Sequence, residues 1–390
     1  MDRNHNQDQN ENQEKQPIIR WTEGNTERSA LWRSESRPSP PKRVIITNDS
    51  ITGDIAYRNA CEGTGMLWRG DFHNARQILN AMAHRVDHKP EKRGKPSKSP
   101  IETFHRYRMA VSNRARILGM LLIELEADHT IGLRRAPDAR FAIAEAHGID
   151  NRNSVMPLRE VLGIIGAHEW RKKGIDIPFI GGRIHPHYGV FPPVRTEYIS
   201  LVAEMPLPSH HLAIDIGTGT GVLAAILAKK GVSRIIATDN DPRAIACARE
   251  NMTQLGISDR VEVISADMFP SKKAPLVVCN PPWLPARPAT SMEKGIYDPE
   301  NRMLYRFINE LPEHLESNGE GWLILSNLAE HLGLRTRVEL MNAIEKAGLK
   351  ILDKIDTQPV HPKTRDKNDP LHFARAAETT SLWRLALLDM

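Results

Sequence analysis

The sequence is short of several things. Only three cysteines occur in 390 residues, Cys61, Cys247 and Cys279, far apart and with no C-x-x-C pair. That spacing excludes a disulfide framework and the common cysteine zinc sites, and it fits a reducing compartment. Aromatic residues make up 5%, too few for an extended array of base-stacking platforms. No apolar run reaches the ~18 residues that a membrane span needs. The best stretch, Leu212 to Ala228, is broken by Asp215 and by the Gly/Thr run Gly217–Gly221. The opening MDRNHNQDQNENQEK is too polar for a signal peptide. Charge of one sign is also lacking: 53 Lys and Arg stand against 48 Asp and Glu, a net of +5. This excludes the dense basic stripe of a dedicated nucleic-acid module. A cytoplasmic protein is the expectation.

The length suits one large or two ordinary domains. Residues 1–50 are rich in Asn, Gln, Glu, Arg, Ser and Pro, and are expected to remain a disordered tail. Residues 51–180 read as a mainly helical domain for substrate recognition or as a lid. Ile78, Met82 and Val86 recur every fourth residue in a helix over Phe72–Val86. A long helix over Ile101–Glu126 places Phe104, Val111, Leu118, Leu122 and Leu125 on one stripe. Shorter helices are expected over Asp138–Ala146 and Pro157–Lys172. The basic, proline-rich stretch His88–Pro100 reads as an exposed linker, with contact to phosphates or an acidic surface as the alternative.

A Gly/Pro-punctuated connector, Gly181–Pro193, opens a third region, 181–390, in which apolar strands alternate with helices. The strands are expected at His211–Ile216, Arg234–Asp239, Val261–Ala266, Leu276–Cys279, Gly321–Ser326, Lys350–Asp356 and Leu382–Leu388. Helices are expected near Gly221–Lys230, Pro242–Leu255, Asn301–Leu315 and Thr336–Ala347. Such alternation builds an α/β domain with a mostly parallel sheet covered on both faces. No helix separates the last two strands, so they should pair antiparallel at one edge.

Four strand ends carry candidate chemistry. Leu212-Ala213-Ile214-Asp215-Ile216 runs into Gly217-Thr218-Gly219-Thr220-Gly221 and then a helix. Glycines there let the backbone approach a ligand, and the helix start offers free N–H groups. The spacing is G-x-G-x-G and not the dinucleotide G-x-G-x-x-G, which turns the reading away from a nicotinamide cofactor. Asp239 ends the next strand, where a carboxylate can accept both hydroxyls of a ribose; Asn240 adjoins it. Asp241-Pro242 beyond them is a helix start. Asp267, followed by Met268 and Phe269, can accept from an adenine amine while the apolar pair covers the ring, although many strands end in Asp. Cys279-Asn280-Pro281-Pro282-Trp283 closes the fourth strand. The two prolines fix a rigid turn. Acceptors on Asn280 and Pro281 then stand over the flat face of Trp283, a setting for a planar –NH2 group. In an open parallel sheet that edge is where ligands bind.

At these residues the sequence resembles the class I S-adenosylmethionine-dependent methyltransferases with an N-P-P-[YFW] motif, most of all the HemK-type release-factor glutamine N5-methyltransferases. The likeness covers about residues 181–390. Phe191-Pro192-Pro193-Val194-Arg195-Thr196-Glu197 echoes the family's I-P-R-P-E-T-E at Pro192, Thr196 and Glu197. It departs at Pro193, Val194 and Arg195, the last standing where the family has an acid, and the family's N-P-P-Y is N-P-P-W here.

The resemblance implies a Rossmann-like, seven-stranded sheet with an antiparallel edge hairpin, and S-adenosyl-L-methionine as cofactor. The residues implied to hold it are Asp215, Gly217, Thr218, Gly219, Gly221, Asp239, Asn240, Asp267, Met268 and Asn280. Asn280, Pro281, Pro282 and Trp283 are implied to receive the acceptor nitrogen. The substrate implied is a release-factor-like protein, methylated on a glutamine amide. An exocyclic base amine of RNA or DNA is the alternative, with the basic helical region gripping phosphates. A non-catalytic module that keeps the cofactor fold is a third reading. No metal is expected, because nothing completes a site at His185-x-His187.

Overall fold

The computed structural model describes residues 16–37, 39–88 and 99–388. The first fifteen residues of the expected tail and most of the basic linker lie outside the described residues. The described residues form two compact units, those of Met1–Gly94 with Ala110–Gly166, and those of Lys95–Met109 with Ala167–Met390.

The first unit is not mainly helical, and residues 16–50 are not a tail. Its elements are β1 (Ile18–Glu23), β2 (Thr26–Trp32), β3 (Arg43–Thr47), α1 (Gly53–Cys61), β4 (Thr64–Trp68), α2 (Phe72–Asp87), the end of α3 (Pro100–Leu118), β5 (Leu121–Leu125), α4 (Arg140–His147), β6 (Ser154–Pro157) and the start of α5 (Leu158–Lys173). Among the described residues a six-stranded sheet runs β1-β2-β6-β5-β4-β3. Its strands are short and pair at long range, as Leu31 of β2 does with Ser154 of β6, so local pattern conceals them. Ile19 and Trp21 are buried between exposed neighbours, the period of two that a half-covered strand requires. With Trp32, Leu67, Leu122 and Val155 they form a core on one sheet face. The long helix expected over Ile101–Glu126 ends at Leu118, just before Gly119, and Leu121–Leu125 is a buried strand. Short apolar runs of this kind fit either state by periodicity alone.

The second unit follows the expected order of seven sheet strands, but a short helix, His372–Ala376, lies between the last two strands where none was expected, because its five residues are too few to show a helical period. It holds β7 (Ile175–Ile177), β8 (Gly182–Ile184), α6 (Glu197–Glu204), β9 (Leu212–Ile216), α7 (Val222–Lys229), β10 (Arg234–Asp239), α8 (Pro242–Gln254), β11 (Val261–Ser265) and β12 (Ala274–Cys279). Then come α9 (Arg302–His314), β13 (Leu315–Ser326), α10 (Leu328–His331), α11 (Arg337–Lys346), β14 (Leu349–Thr357), α12 (His372–Ala376) and β15 (Thr380–Leu387). A seven-stranded sheet runs β11-β10-β9-β12-β13-β15-β14. Its first five strands are parallel, and β15 pairs antiparallel with both β13 and β14. Chain order reverses between β9 and β12, the switch point at which such sheets open a crevice.

Unbroken apolar strands have a simple cause here: both faces are covered. Ala213, Leu276 and Val278 point into a core with α6, α7 and α8. Ile214, Val277 and Cys279 point into a second core with α9 and α11. Helix starts follow their capping residues. Asp241 accepts the Arg243 amide at 2.9 Å to begin α8, and Thr336 and Glu339 form a reciprocal capping box at α11. The connector Gly181–Pro193 carries β8, which pairs with β7. No helix among the described residues is long and apolar enough to cross a membrane.

Candidate active site

Most of the residues expected to hold a cofactor collect at the ends of β9, β10 and β11. Asp215 is buried, and its Oδ2 accepts the Thr218 hydroxyl at 2.6 Å and the Ala224 amide at 3.2 Å. It serves as a remote cap for α7, whose own first position, Gly221, has no side chain to do so. Burial pushes the Asp215 carboxyl up to about 6; the two hydrogen bonds oppose this and the nearby Asp239 adds to it.

The three glycines of the turn all have left-handed backbone, with φ of +68°, +55° and +82° at Gly217, Gly219 and Gly221. Their reasons differ. A Cβ on Gly217 would come within 2.7 Å of the Met303 methyl, and one on Gly221 within 2.7 Å of the Met252 methyl. On Gly219 it would meet no protein atom within 4 Å. Gly219 therefore presents bare backbone to open space, a cradle in which a ligand can lie against the chain.

Asp239 faces the same turn. Its Oδ2 accepts the Gly219 amide at 3.0 Å and its Oδ1 the Asp241 amide at 2.9 Å. Burial pushes this carboxyl up as well. Asn240 beside it is exposed. Thr238 ties the next loop in, donating to the Met268 carbonyl at 2.6 Å. Met268 is buried with a φ of +80°, a conformation that costs on the order of 1–3 kcal/mol in a non-glycine residue. Asp267 lies at the surface, and its carboxylate pairs with Arg306 at 2.8 Å. Buried Asn251 braces the whole turn, donating to the Thr220 carbonyl at 3.0 Å and accepting the His185 amide at 2.8 Å.

The residues expected to receive an acceptor nitrogen follow β12. Pro281 is buried, and Asn280, Pro282 and Trp283 are half-buried. Trp283 is more than the stacking face that the sequence assigns to it. Its indole N–H donates to Asn280 Oδ1 at 2.9 Å, fixing the amide and taking one of that oxygen's lone pairs. The Arg195 guanidinium lies 4.7 Å from the indole centroid and covers one face. Arg195 in turn pairs with Glu197 at 2.5 Å and Glu378 at 3.0 Å, two carboxylates that are both almost fully buried. Glu378 also accepts the Ser326 hydroxyl at 2.7 Å, while Glu197 Oε2 has no hydrogen-bond partner among the described residues.

Arg195 and Glu197 lie in the motif echo. Glu378 gave no local signal, being 183 residues from Arg195 in sequence. Asp298 is another residue missed by pattern. It accepts the Met303 and Leu304 amides at 2.9 and 3.2 Å and so starts α9, and burial pushes its carboxyl up.

His185 and His187 are engaged structurally. The His185 ring meets the Arg171 carbonyl at 2.6 Å, and the His187 ring meets Glu250 at 2.8 Å. No group of three or more metal-ligating side chains occurs among the described residues. Arg114 is held by Asp87 at 2.8 Å.

Residues 182–352 match the family model for the methyltransferase small domain. That match makes the region a methyltransferase domain. The chain is 26% identical over 185 residues to a putative protein N5-glutamine methyltransferase of Methanocaldococcus jannaschii, covering 45% of this chain and 88% of that one. It is 29% identical over 195 residues to a tRNA1(Val) (adenine(37)-N6)-methyltransferase of Shewanella loihica, covering 44% and 79%. It is 31% identical over 150 residues to a release factor glutamine methyltransferase of Cereibacter sphaeroides, covering 35% and 51%.

Proposed function

We propose that this methyltransferase transfers its methyl group to a planar nitrogen, with a protein glutamine amide as the acceptor. The observation that carries the reading is the Asn280–Trp283 hydrogen bond at the end of β12, beside the glycine turn.

S-adenosyl-L-methionine supplies an electrophilic methyl carbon on a sulfonium. The residues present fit that group. Gly219 offers open backbone, Asp239 offers a half-buried carboxylate for a diol, and the rim holds the partly or fully buried acids Asp215, Asp239 and Asp298, which favour a cation. In this reading Met268 covers an adenine ring. Asp267 and Asn240 lie at the outer side of the same rim.

An amide or aromatic amine is a poor nucleophile because its lone pair is delocalised. The protein's task is to orient that nitrogen and to stabilise the positive charge that develops on it. The remaining lone pair of Asn280 Oδ1 and the Pro281 carbonyl are the acceptors for its two hydrogens. Pro281 and Pro282 hold them rigid, so little reorganisation is needed. With one indole face covered by Arg195, a flat acceptor stacks against the other.

Methylation of an exocyclic base amine uses the same geometry. It is favoured by the likeness to a tRNA adenine N6-methyltransferase along 79% of that protein. One experiment separates the two. The full chain is incubated with tritiated S-adenosylmethionine and a cell extract, and the labelled product is treated with protease or nuclease. Release of label by protease supports the glutamine reading, release by nuclease replaces it with the base-amine reading, and no transfer overturns both.

A further inference from the structure

The chain beyond Trp283 forms a loop, Leu284 to Asp298, whose ends meet. The Leu284 amide donates to the Ile296 carbonyl at 3.1 Å, and the Asp298 amide to the Leu284 carbonyl at 2.9 Å. From this stem the loop reaches the ribose side of the rim. The Ser291 hydroxyl lies 3.4 Å from the Arg243 guanidinium, and the Lys294 ammonium 3.4 Å from the Asp241 carboxylate. Past the stem, Asp298 starts α9, and Met303 on that helix packs against Gly217. The loop thus connects the acceptor turn with the ribose acid's neighbourhood, and it leads into the helix that packs against the glycine turn.

Internally it holds one short 3-10 turn, Met292–Gly295, with no buried residue. Its strongest attachment comes from α3. Arg108 donates to the Arg287 carbonyl at 2.7 Å, and its two terminal nitrogens lie 3.3 and 3.4 Å from one Glu293 oxygen. The same oxygen accepts the Ala289 amide at 2.8 Å. The Arg108 guanidinium also stacks 3.9 Å from the Tyr297 centroid. One helical turn earlier, buried Phe104 packs in a cluster with Leu284 at the stem. Residues four apart on one helix face therefore grip both stem and tip.

We propose that Arg108 is a positioning residue for methyl transfer, latching the 284–298 loop against the start of α8 beside Asp239 and thereby setting how long the donor product stays bound. The proposal rests on the donor site described above and is independent of the acceptor. A charge-assisted fork to a carboxylate and a carbonyl, with stacking on a ring, is a geometry that lysine cannot reproduce.

The test uses the full chain with S-adenosylhomocysteine as probe, reading its association and release rates together with amide hydrogen exchange over 284–298. Arg108→Ala is expected to speed release about tenfold and leave association within about twofold, because the guanidinium's bonds to the loop hold the closed state. Exchange in the loop should rise with it. Arg108→Lys should restore slow release only in part. Glu293→Gln, on the loop itself, should shift both readouts the same way by less, and it guards against misfolding of the Arg108 variants. Unchanged release and exchange in Arg108→Ala and Glu293→Gln, with wild-type binding intact, overturns the latch. Failure of the wild-type chain to bind the probe overturns the donor site itself, and the latch with it.

Discussion

The indole N–H of Trp283 and the side-chain oxygen of Asn280 lie 2.9 Å apart, three residues along one proline-braced turn. Because the tryptophan takes only one lone pair, the other is held in a fixed direction.

Trp283→Phe keeps a ring for Arg195 to cover but removes the donor to Asn280. Turnover is expected to fall about tenfold, the worth of one hydrogen bond, while affinity for S-adenosylhomocysteine stays the same. Asn280→Ala should lower turnover by about two orders of magnitude or more, roughly 3 kcal/mol in the transition state, again at near-constant donor affinity. Single-turnover rates and calorimetric binding separate the two effects. Equal loss of both quantities would mean that the turn is merely structural.

At Asp239 the expectation is the reverse. Asp239→Ala removes the carboxylate that holds the Gly219 amide and is assigned to the ribose diol. Binding of S-adenosylhomocysteine should weaken by about ten- to a hundredfold, as for hydrogen bonds to a charged group. Affinity unchanged in titration calorimetry would remove the ribose assignment.

The buried Asp215 makes stability depend on pH. Its carboxyl is raised from an ordinary 3.8 to about 6, chiefly by burial. The folded chain then holds this proton more tightly than the unfolded chain does. Its contribution is most favourable below about pH 4, declines as pH rises and is fully lost above about pH 6. Asp215→Asn, which keeps an oxygen for the Thr218 hydroxyl, should remove that decline. The wild type should lose on the order of 2–3 kcal/mol relative to the variant between about pH 4 and about pH 7. Urea midpoints at the two ends of that range check it, and parallel curves would place the Asp215 charge outside the stability balance.

Legibility in sequence followed the range of the interactions involved. The strands of the second unit are apolar runs bounded by Gly, Pro and Asp, and the helices between them begin at caps such as Asp241 and Thr336. These signals are local, and apart from the early start of β13 they located the seven sheet strands and helices α7, α8, α9 and α11 to within a few residues. The first unit reads differently because its burial is one-sided and its pairing distant. Ile18–Glu23 alternates in only six residues, and β2 meets β6 across more than a hundred residues. Helical spacing at Phe72–Asp87 was clear, while Leu121–Leu125 had no period of its own and was drawn into the helix before it.

By itself the sequence determined the order of the seven sheet strands and of helices α7, α8, α9 and α11, the glycine turn after Asp215 and the proline-framed turn at Asn280, since each depends on residues adjacent in the chain. Tertiary structure alone decided that Arg195 would cover Trp283 between Glu197 and Glu378, that Gly219 would face open space while Gly217 and Gly221 pack on methionines, and that Arg108 would hold the loop beyond Trp283. The physical reason is range. Caps and turns are satisfied by neighbours a few residues away, whereas a buried ion pair or a close packing contact depends on partners that only the folded chain brings together.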